Sequence, residues 1–201
     1  MKNSIVVVDD DPIIRMDLRE MLEEEGYHIG GEAKNGQEAI ELVAKLKPDL
    51  VIMDIKMPVM NGIKASHIIR KMQDTSVLLL TAYSQKELVQ DARSAGVAAY
   101  LVKPVSEADL IPAVEIALSQ KERMDALKHD LQQLKQSIEE RKRIEKAKGI
   151  VMKAYALEEE EAYRKMRMAS MAFRMPLSRL AACILQDGPG QLASMSLPDN
   201  G

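Results

Sequence analysis

Short apolar runs in the first half of the chain end in residues that could take part in phosphoryl chemistry. Asp9 and Asp10 follow the first run, and Asp54, Thr81 and Lys103 follow later ones. Carboxylates that lie close together repel one another unless a cation binds, and Mg²⁺ suits this role because it prefers hard oxygen ligands. One carboxylate could then act as the nucleophile toward a phosphoryl group. The cation, the lysine and the threonine hydroxyl would neutralise the phosphoryl oxygens.

The same runs are the strands of a predicted α/β domain. Aliphatic and β-branched segments predict five strands, at Ile5–Val8, His28–Gly31, Leu50–Met53, Val77–Leu80 and Ala98–Val102. Intervening segments predict helices from Pro12 to Gly26, at Gln37–Leu46, Ile63–Met72 and Gln85–Ala95, and from Ser106–Asp109 onward. This alternation indicates a flavodoxin-like, doubly wound, five-stranded parallel sheet with helices on both faces. The carboxyl ends of its strands share one edge, which brings the candidate residues together.

Singly, these residues could be a polar loop, a helix cap, a strand end or a solvated lysine, but their joint order is not expected by chance. They lie in the motifs Val7-Val8-Asp9-Asp10, Met53-Asp54-Ile55-Lys56-Met57-Pro58 with Gly62, Leu80-Thr81-Ala82 and Tyr100-Leu101-Val102-Lys103-Pro104. With these motifs, residues 1–120 resemble the receiver domains of bacterial response regulators. The resemblance implies that Asp54 is the phosphoacceptor and that a sensor histidine kinase is a partner.

The resemblance also implies a metal site. Asp10 and Asp54 would bind Mg²⁺ directly, together with the backbone carbonyl of Lys56. Asp9 would act nearby or through a water molecule. The set of acids, hydroxyl and lysine is complete, which argues against a receiver that signals without phosphate.

A switch is implied in the same way. Thr81 and Lys103 would contact the phosphoryl group, and a cis peptide bond is expected before Pro104. Tyr100 would be the switch aromatic residue, which turns inward when Thr81 moves toward the phosphate. Its alternative role, packing from its strand onto the fourth helix, is compatible with the switch.

The helix that follows the fifth strand has no obvious end. No glycine or proline occurs between Ala113 and Lys148. Apolar residues at 3-4 spacing form a seam, which consists of Met124, Leu127, Leu131, Leu134 and Ile138. The flanks of the seam are very polar, which favours a parallel coiled-coil homodimer over residues 121–140. The alternative is one amphipathic helix packed on its own chain.

The remainder of the chain predicts a small domain of three helices and a tail. The helices are expected at Arg141–Tyr155, Glu158–Met171 and Leu177–Leu185, within a domain of residues 141–187, and residues 188–201 are expected to be disordered. The whole chain has a net charge of −3, but residues 1–120 carry −6 and residues 141–201 carry +4. This asymmetry suggests a nucleic-acid partner for the second half.

A second family pattern lies in this domain. It comprises Arg141-Lys142-Arg143-Ile144, Ala147-Lys148-Gly149-Ile150-Val151-Met152, Glu161-Ala162-Tyr163, Met166-Arg167, Ala169-Ser170-Met171, Leu177, Leu180, Ala181 and Ile184. Residues 139–186 thereby resemble the ANTAR module, a three-helix RNA-binding domain of transcription antiterminators. The whole arrangement resembles regulators of nitrate assimilation and ethanolamine utilisation. It implies binding to RNA hairpins in nascent mRNA, which would prevent a terminator hairpin.

Basic side chains would contact the RNA phosphates, and the candidates are Lys148, Lys153, Arg164, Lys165, Arg167, Arg174 and Arg179. Bases in RNA loops are read by stacking and by edge hydrogen bonds, so an exposed aromatic residue could contribute. Tyr155 is the favoured stacking candidate, whereas Tyr163 and Phe173 are expected in the small core. Five methionines are expected to fill that core, at positions 152, 166, 168, 171 and 175.

Two other outputs stay open. Three short helices could form a DNA-binding helix-turn-helix, although the last has one basic residue, Arg179, with which to read a major groove. Alternatively, the coiled coil could bind protein partners. An enzymatic output is not expected, because residues 141–201 contain no histidine, no metal-ligand cluster and no glycine-rich phosphate loop.

The amino-acid composition argues against several classes of protein and of site. The single cysteine, Cys183, excludes an intramolecular disulfide and a cysteine-based zinc site. The first apolar run is interrupted by three aspartates, unlike a signal peptide, and no stretch approaches the roughly 18 apolar residues that cross a bilayer. We therefore expect a cytoplasmic protein that does not bind membranes.

Overall fold

The computed structural model describes residues 3–82 and 97–192, within two compact units, residues 1–126 and 127–201. The first unit contains strands β1 (Ser4–Val8), β2 (His28–Ala33), β3 (Leu50–Asp54), β4 (Ser76–Thr81) and β5 (Ala99–Val102). Its helices are α1 (Pro12–Glu24), α2 (Gly36–Leu46), α3 (Gly62–Met72) and the beginning of α4 (Glu107–Tyr155). The helix predicted at Gln85–Ala95 lies outside the described residues.

The five strands form one parallel sheet in the order β2-β1-β3-β4-β5. This is the flavodoxin-like order, so the predicted fold is confirmed. Side chains alternate between the faces, with Ile5 and Val7 in one buried core and Val6 and Val8 in the other. Because both faces are buried, β1 is apolar at every position from Ile5 to Val8 and β3 at every position from Leu50 to Met53.

Helix α1 begins where the sequence predicts it. Pro12 occupies the first turn, where its missing N–H costs no hydrogen bond. The side chain of Asp11 accepts a hydrogen bond from the Ile13 backbone N–H at 2.8 Å and so caps the helix. The chain thus passes from β1 to α1 through residues 9–11, which we call the acidic loop, and the cap fixes the backbone of this loop.

The second unit contains most of α4, then α5 (Glu159–Ala172), α6 (Leu177–Asp187) and a 3-10 helix (Pro189–Leu192). The predicted helix Arg141–Tyr155 is not separate, because α4 continues for 49 residues without a break. The core of this unit consists of Ala147, Val151, Ala162, Met166, Ala169, Leu180, Ala181, Ile184 and Leu192.

The predicted start of the disordered tail is wrong in one respect. Pro189–Leu192 forms the 3-10 helix, and Leu192 is completely buried in the core of the second unit. The hydroxyl of Tyr155 donates a hydrogen bond to the Pro189 carbonyl at 2.7 Å. An apolar anchor and a hydrogen bond therefore order the chain as far as Leu192. Residues 193–201 lie outside the described residues.

Helix α4 presents the predicted seam to solvent. The seam residues Met124, Leu127, Leu131, Leu134 and Ile138 are each between 46% and 59% exposed.

Within the described ranges, no single helix is both long enough and apolar enough to cross a membrane. Helices α5 and α6 pass that test only when combined, and the chain bends by 107° between them.

Candidate functional site

One lysine and two aspartates meet at the carboxyl edge of the sheet. Asp9 directly follows β1, Asp54 is the last residue of β3, and Lys103 directly follows β5. The Lys103 Nζ lies 2.5 Å from Asp9 Oδ2 and 2.9 Å from Asp54 Oδ1. Both carboxylates are buried. The sequence prediction that these three residues converge is therefore consistent with the geometry.

Burial and charge act against each other in this cluster. Burial raises the pKa of Asp54, and the hydrogen bond and charge of Lys103 only partly offset this effect. Burial by itself would lower the pKa of Lys103, but its hydrogen bonds to Asp9 and Asp54 outweigh burial and raise it. The lysine is therefore held as a cation between two carboxylates.

The acidic loop divides its residues between the pocket and the surface. Asp9 is buried and accepts a hydrogen bond from the Asp11 backbone N–H at 3.1 Å, whereas Asp10 is exposed. In the described parts of the chain, no three His, Cys, Asp or Glu side chains are grouped to hold a metal ion. The geometry thus supplies a buried carboxylate pair, with Asp10 beside it in sequence.

Arg15 is a site neighbour that sequence analysis missed. Its Nη1 donates a hydrogen bond to the backbone carbonyl of Asp9 at 2.7 Å, and its Nε lies 3.3 Å from the Glu32 carboxylate on β2. The residue lies one helical turn after the cap of α1. Its position four residues after Asp11 places Arg15 near the acidic loop. Its contact, however, is with a backbone oxygen, which every residue has, so no sequence motif indicates it.

The remaining predicted pocket residues are placed as follows. Thr81 is buried at the end of β4, and its carbonyl accepts a hydrogen bond from the Lys103 backbone N–H at 2.8 Å. The backbone N–H of Lys56 hydrogen-bonds to the Asp54 carboxylate. Tyr100 on β5 is exposed, and the peptide bond between Lys103 and Pro104 is cis, as predicted.

Gly62 allows the loop after β3 to close on the phosphoacceptor candidate. Its N–H donates to the Ile55 carbonyl at 2.9 Å. A Cβ at this position would overlap the backbone carbonyl oxygen of Asp54. The glycine of the sequence motif is therefore required by a close backbone approach directly beneath Asp54.

In the second unit, the predicted RNA contacts fall into two groups. Lys148 is only 8% exposed, and its Nζ lies 2.6 Å from both the Glu145 and Glu159 carboxylates. Lys165 is also buried, with its Nζ 4.9 Å from the centre of the Tyr155 ring. These two lysines bind other side chains of the unit and are therefore not available to phosphates. This differs from the prediction that both contact the RNA.

The expected roles of the aromatic residues are reversed. Tyr155 packs against the core and donates its hydroxyl hydrogen bond internally, so it is not the exposed stacking residue that was predicted. Tyr163 and Phe173, which were predicted in the core, are 42% and 41% exposed. Met166 fills the core as predicted, but Met171 is 69% exposed.

Other predicted RNA contacts are accessible. Lys153, Arg167, Arg174 and Arg179 are exposed, and Arg164 is partly buried. Exposed basic residues that were not predicted as contacts also occur on α4, at Arg141, Lys142, Arg143 and Lys146. Lys142 is paired with Glu139 at 2.9 Å, which shows that acids accompany this second group.

The parallel sheet with an aspartate, a threonine and a lysine at its carboxyl edge defines a receiver domain of a two-component system. Residues 5–115 match the response regulator receiver domain family, and residues 132–185 match the ANTAR domain. The chain belongs to the response regulators that carry a C-terminal ANTAR domain. It therefore combines two regulatory domains, a phosphorelay receiver and an RNA-binding class of output domain.

Relatives support this assignment along nearly the whole chain. The transcriptional regulatory protein PdtaR of Mycobacterium tuberculosis is 45% identical over 182 residues, which cover 90% of this chain and 89% of PdtaR. The chemotaxis protein CheY of Thermotoga maritima is 38% identical over 115 residues, 57% of this chain and 96% of CheY.

Solved structures match the receiver. The receiver domain of the putative response regulator NarL from M. tuberculosis superposes with a TM-score of 0.57 at 31% identity, and it covers 59% of this chain and 97% of that domain. The chemotaxis protein CheY4 of Vibrio cholerae gives a TM-score of 0.56 at 29% identity, over 59% of this chain and 100% of CheY4.

Proposed function

We propose that this protein is a phosphorylation-controlled transcription antiterminator that accepts a phosphoryl group on Asp54 and binds RNA hairpins in nascent mRNA. The observation that carries the proposal is the buried Asp9–Lys103–Asp54 cluster at the sheet edge of a chain that ends in an ANTAR domain. The protein itself would catalyse no reaction beyond its own phosphorylation. We place it in the cytoplasm, where its RNA would be made.

The donor in this proposal is a phosphohistidine of a sensor kinase. A carboxylate oxygen of Asp54 attacks the phosphorus atom, the bond between phosphorus and the histidine nitrogen breaks, and an acyl phosphate forms. Lys103 already contacts Asp54 Oδ1 at 2.9 Å, so its ammonium group can transfer this contact to a phosphoryl oxygen. The Thr81 hydroxyl would contact a second phosphoryl oxygen.

The donor set of the pocket fits Mg²⁺, because all candidate groups are hard oxygen ligands and the buried carboxylates carry more negative charge than Lys103 alone can neutralise. Asp10, Asp54 and the Lys56 carbonyl would hold the ion, with Asp9 nearby. When bound, Mg²⁺ would neutralise charge on the phosphoryl oxygens.

The signal would leave the pocket through Thr81 and Tyr100. Movement of the Thr81 side chain toward a phosphoryl group would vacate space behind β4. Tyr100, which is exposed on the neighbouring strand, would turn inward to fill it. The surface around β5 would then change its shape and polarity, and this change would alter dimerisation or the exposure of the RNA-binding helices.

A parallel homodimer is the second part of the proposal. The solvent-exposed apolar seam of α4 has the 3-4 spacing of a coiled coil, and its large side chains would become buried against a partner helix. In a parallel pair with Met124 at position a, Asp130 at g of one chain faces Lys135 at e of the other. The same parallel pair sets Arg123 at g against Lys128 at e, so the parallel arrangement rests on the narrow seam and its polar flanks rather than on these charges.

The alternatives are a DNA-binding regulator and a regulator that acts through protein partners. Helix α6 carries one basic residue, Arg179, and offers little for reading a major groove. A protein-binding output would leave the basic charge of the second unit without a role. RNA is therefore the partner that the ANTAR match and the charge distribution favour.

An electrophoretic shift assay tests the proposal directly. The full-length protein is mixed with a two-hairpin RNA or with duplex DNA of equal charge, each with and without acetyl phosphate and Mg²⁺. We expect binding that is selective for RNA and is strengthened by the phosphodonor. The Asp54→Asn variant is expected to bind equally with and without phosphodonor.

The controls separate the two domains. Asp74→Asn, at an exposed position of the receiver, should respond to the phosphodonor like the wild-type protein. Full labelling of Asp54→Asn by a radioactive phosphodonor would remove Asp54 from its assigned role. If the protein binds DNA in preference to RNA, or binds neither nucleic acid, the proposed RNA-binding output is wrong. The assignment of the receiver domain is not affected by either result.

A further inference from the structure

Most of α5 and α6 lies in a segment without acidic residues, because their acids are confined to Glu159–Glu161 at the start of α5 and Asp187 at the end of α6. Residues 162–186 contain Arg164, Lys165, Arg167, Arg174 and Arg179 and no Asp or Glu. The preceding segment differs, because its cations alternate with Glu139, Glu140, Glu145 and Glu158–Glu161. Positive charge without nearby carboxylates is the electrostatic condition for binding a polyanion.

Helix α5 has two distinct faces. One face is buried in the core and carries Ala162, Met166 and Ala169. The opposite face carries Tyr163, Arg167 and Met171, which are exposed and spaced four residues apart. Side chains at this spacing lie in one row along the helix surface. The row therefore presents an aromatic ring, a guanidinium group and an apolar side chain side by side.

The row continues into the turn after α5. Phe173 ends the helix and is 41% exposed, and Arg174 follows with φ at +52°. This left-handed conformation is unfavourable for a residue with a side chain. Three hydrogen bonds hold the turn. The Met175 N–H donates to the Ser170 carbonyl at 3.0 Å, the Arg174 N–H to the Met171 carbonyl at 3.2 Å, and the Ser170 hydroxyl to the Met175 carbonyl at 2.6 Å.

A left-handed residue directly after the last helical turn is a common way for a helix to end, and these hydrogen bonds fix the backbone of that turn. The turn places an exposed Phe and an exposed Arg next to each other at the end of the row. We call Tyr163, Arg167, Met171, Phe173 and Arg174 the α5 surface. Tyr163 marks its border, since it also lines a groove with Glu159 and Glu160.

The other candidate surfaces of this unit are less suited to RNA. Lys148 is enclosed by two carboxylates, and Lys165 lies over the Tyr155 ring. On α4, Lys142 is paired with Glu139. Exposed aromatic rings beside unpaired bases can stack on them, and arginines can contact the adjacent phosphates. Of the surfaces described, the α5 surface combines both kinds of group.

We propose that the α5 surface is the RNA-contacting face of the second unit, with Tyr163 and Phe173 stacking on unpaired loop bases and Arg167 and Arg174 binding the adjacent phosphates. This inference rests on the proposed RNA-binding function and assigns it to a particular face. It replaces the prediction that Lys148, Lys165 and Tyr155 make these contacts.

The test uses the full-length protein, treated with acetyl phosphate and Mg²⁺, and a two-hairpin RNA selected by the wild-type protein from a pool with randomised loops. Tyr163→Ala and Phe173→Leu should each weaken binding about tenfold, in keeping with the loss of one stacked base. Tyr163→Phe keeps the ring and should bind like the wild-type protein. These side chains are exposed, so thermal unfolding should change little.

The arginines are tested by salt dependence. Arg167→Gln with Arg174→Gln should reduce the slope of log K against log salt by about 1.4, because two contacts with single-stranded phosphates are lost. Lys142→Gln with Arg143→Gln removes the same charge from α4 and should leave the slope nearly unchanged.

The outcomes distinguish this inference from the function on which it rests. If the wild-type protein selects no RNA, both proposals fail. If it binds RNA but the α5 variants keep wild-type affinity and salt slope, the protein binds RNA through another surface and this inference alone is overturned.

Discussion

The Nζ of Lys103 lies 2.9 Å from Oδ1 of Asp54, and this contact opposes the effect of burial on the Asp54 carboxyl group. The carboxyl group must be ionised to act as a nucleophile. In the proposed function the lysine would therefore have two roles, because besides binding a phosphoryl oxygen it extends to lower pH the range in which Asp54 is ionised.

Lys103→Gln should move the loss of Asp54 ionisation to higher pH. Burial already raises the pKa of Asp54, and removal of the hydrogen bond and charge of Lys103 raises it further. The Asp54 carboxylate becomes protonated as pH falls through this pKa. In the variant we therefore expect protonation of Asp54 at a higher pH than in the wild-type protein. A ¹³C NMR titration without divalent cations, assigned with Asp54→Asn, measures the change.

Lys121→Gln is the matched control, since the Lys121 side chain is 18% exposed, like that of Lys103, but contacts Asp49 and Asp125. An Asp54 titration that is the same in Lys103→Gln and in the wild-type protein would show that the lysine does not tune the nucleophile.

Gly62→Ala should destabilise the receiver. The new Cβ would overlap the Asp54 carbonyl oxygen, and relief of such overpacking typically costs about 1–3 kcal/mol. The control is Gly149→Ala, because a Cβ there meets no atom within 4 Å and alanine favours a helix by about 1 kcal/mol. Calorimetric unfolding should give opposite signs for the two variants, and equal shifts would contradict the close approach at Gly62.

Leu131→Lys should break the proposed dimer. In a parallel coiled coil this residue is buried against its counterpart, and each buried leucine contributes about 1.5–3 kcal/mol. Sedimentation equilibrium should show a shift toward monomer. Gln132→Lys adds the same charge outside the seam and should keep the dimer. A monomeric wild-type protein, with or without phosphodonor, would argue for a helix that acts without a partner.

Glu159→Gln should loosen the contact between α4 and α5. Its hydrogen bond to Lys148 lowers the pKa of Glu159, so this stabilisation is present above the ordinary glutamate pKa. It is lost as pH falls through the lowered value in the folded protein. Amide exchange in α5 at neutral pH should be faster in the variant, whereas Glu160→Gln should exchange like the wild-type protein. If amide exchange in α5 is equally fast in Glu159→Gln and Glu160→Gln, the ion pair between Lys148 and Glu159 does not stabilise this contact.

The convergence of the acidic residues and the lysine was predictable because parallel strands align their carboxyl ends. Once Asp9, Asp54 and Lys103 were assigned to strand ends, the fold brought them together without further information. Arg15 was not predictable in this way, because it binds a backbone oxygen and any long donor could have done so. The motif glycine, Gly62, was recognised by pattern, but its reason became clear only from its distance to Asp54.

The second unit was harder to predict, because α4 carries two apolar faces. Ile138 belongs to a face that is exposed in the single chain, whereas Ala147 and Val151 pack inside their own unit. Periodicity identifies both faces as apolar but does not reveal which one a neighbouring helix covers. For the same reason it could not reveal that Lys148 is enclosed by carboxylates or that Tyr155 is covered by Lys165.

The burial of Leu192 determines where the chain can be shortened. A protein cut after Asp187 would keep every residue of the ANTAR match but lose a core side chain and the carbonyl that binds Tyr155. Such a truncated chain should expose apolar surface and aggregate, whereas one cut after Leu192 should remain intact. The folded limit of the output domain thus lies several residues beyond the limit of its family pattern.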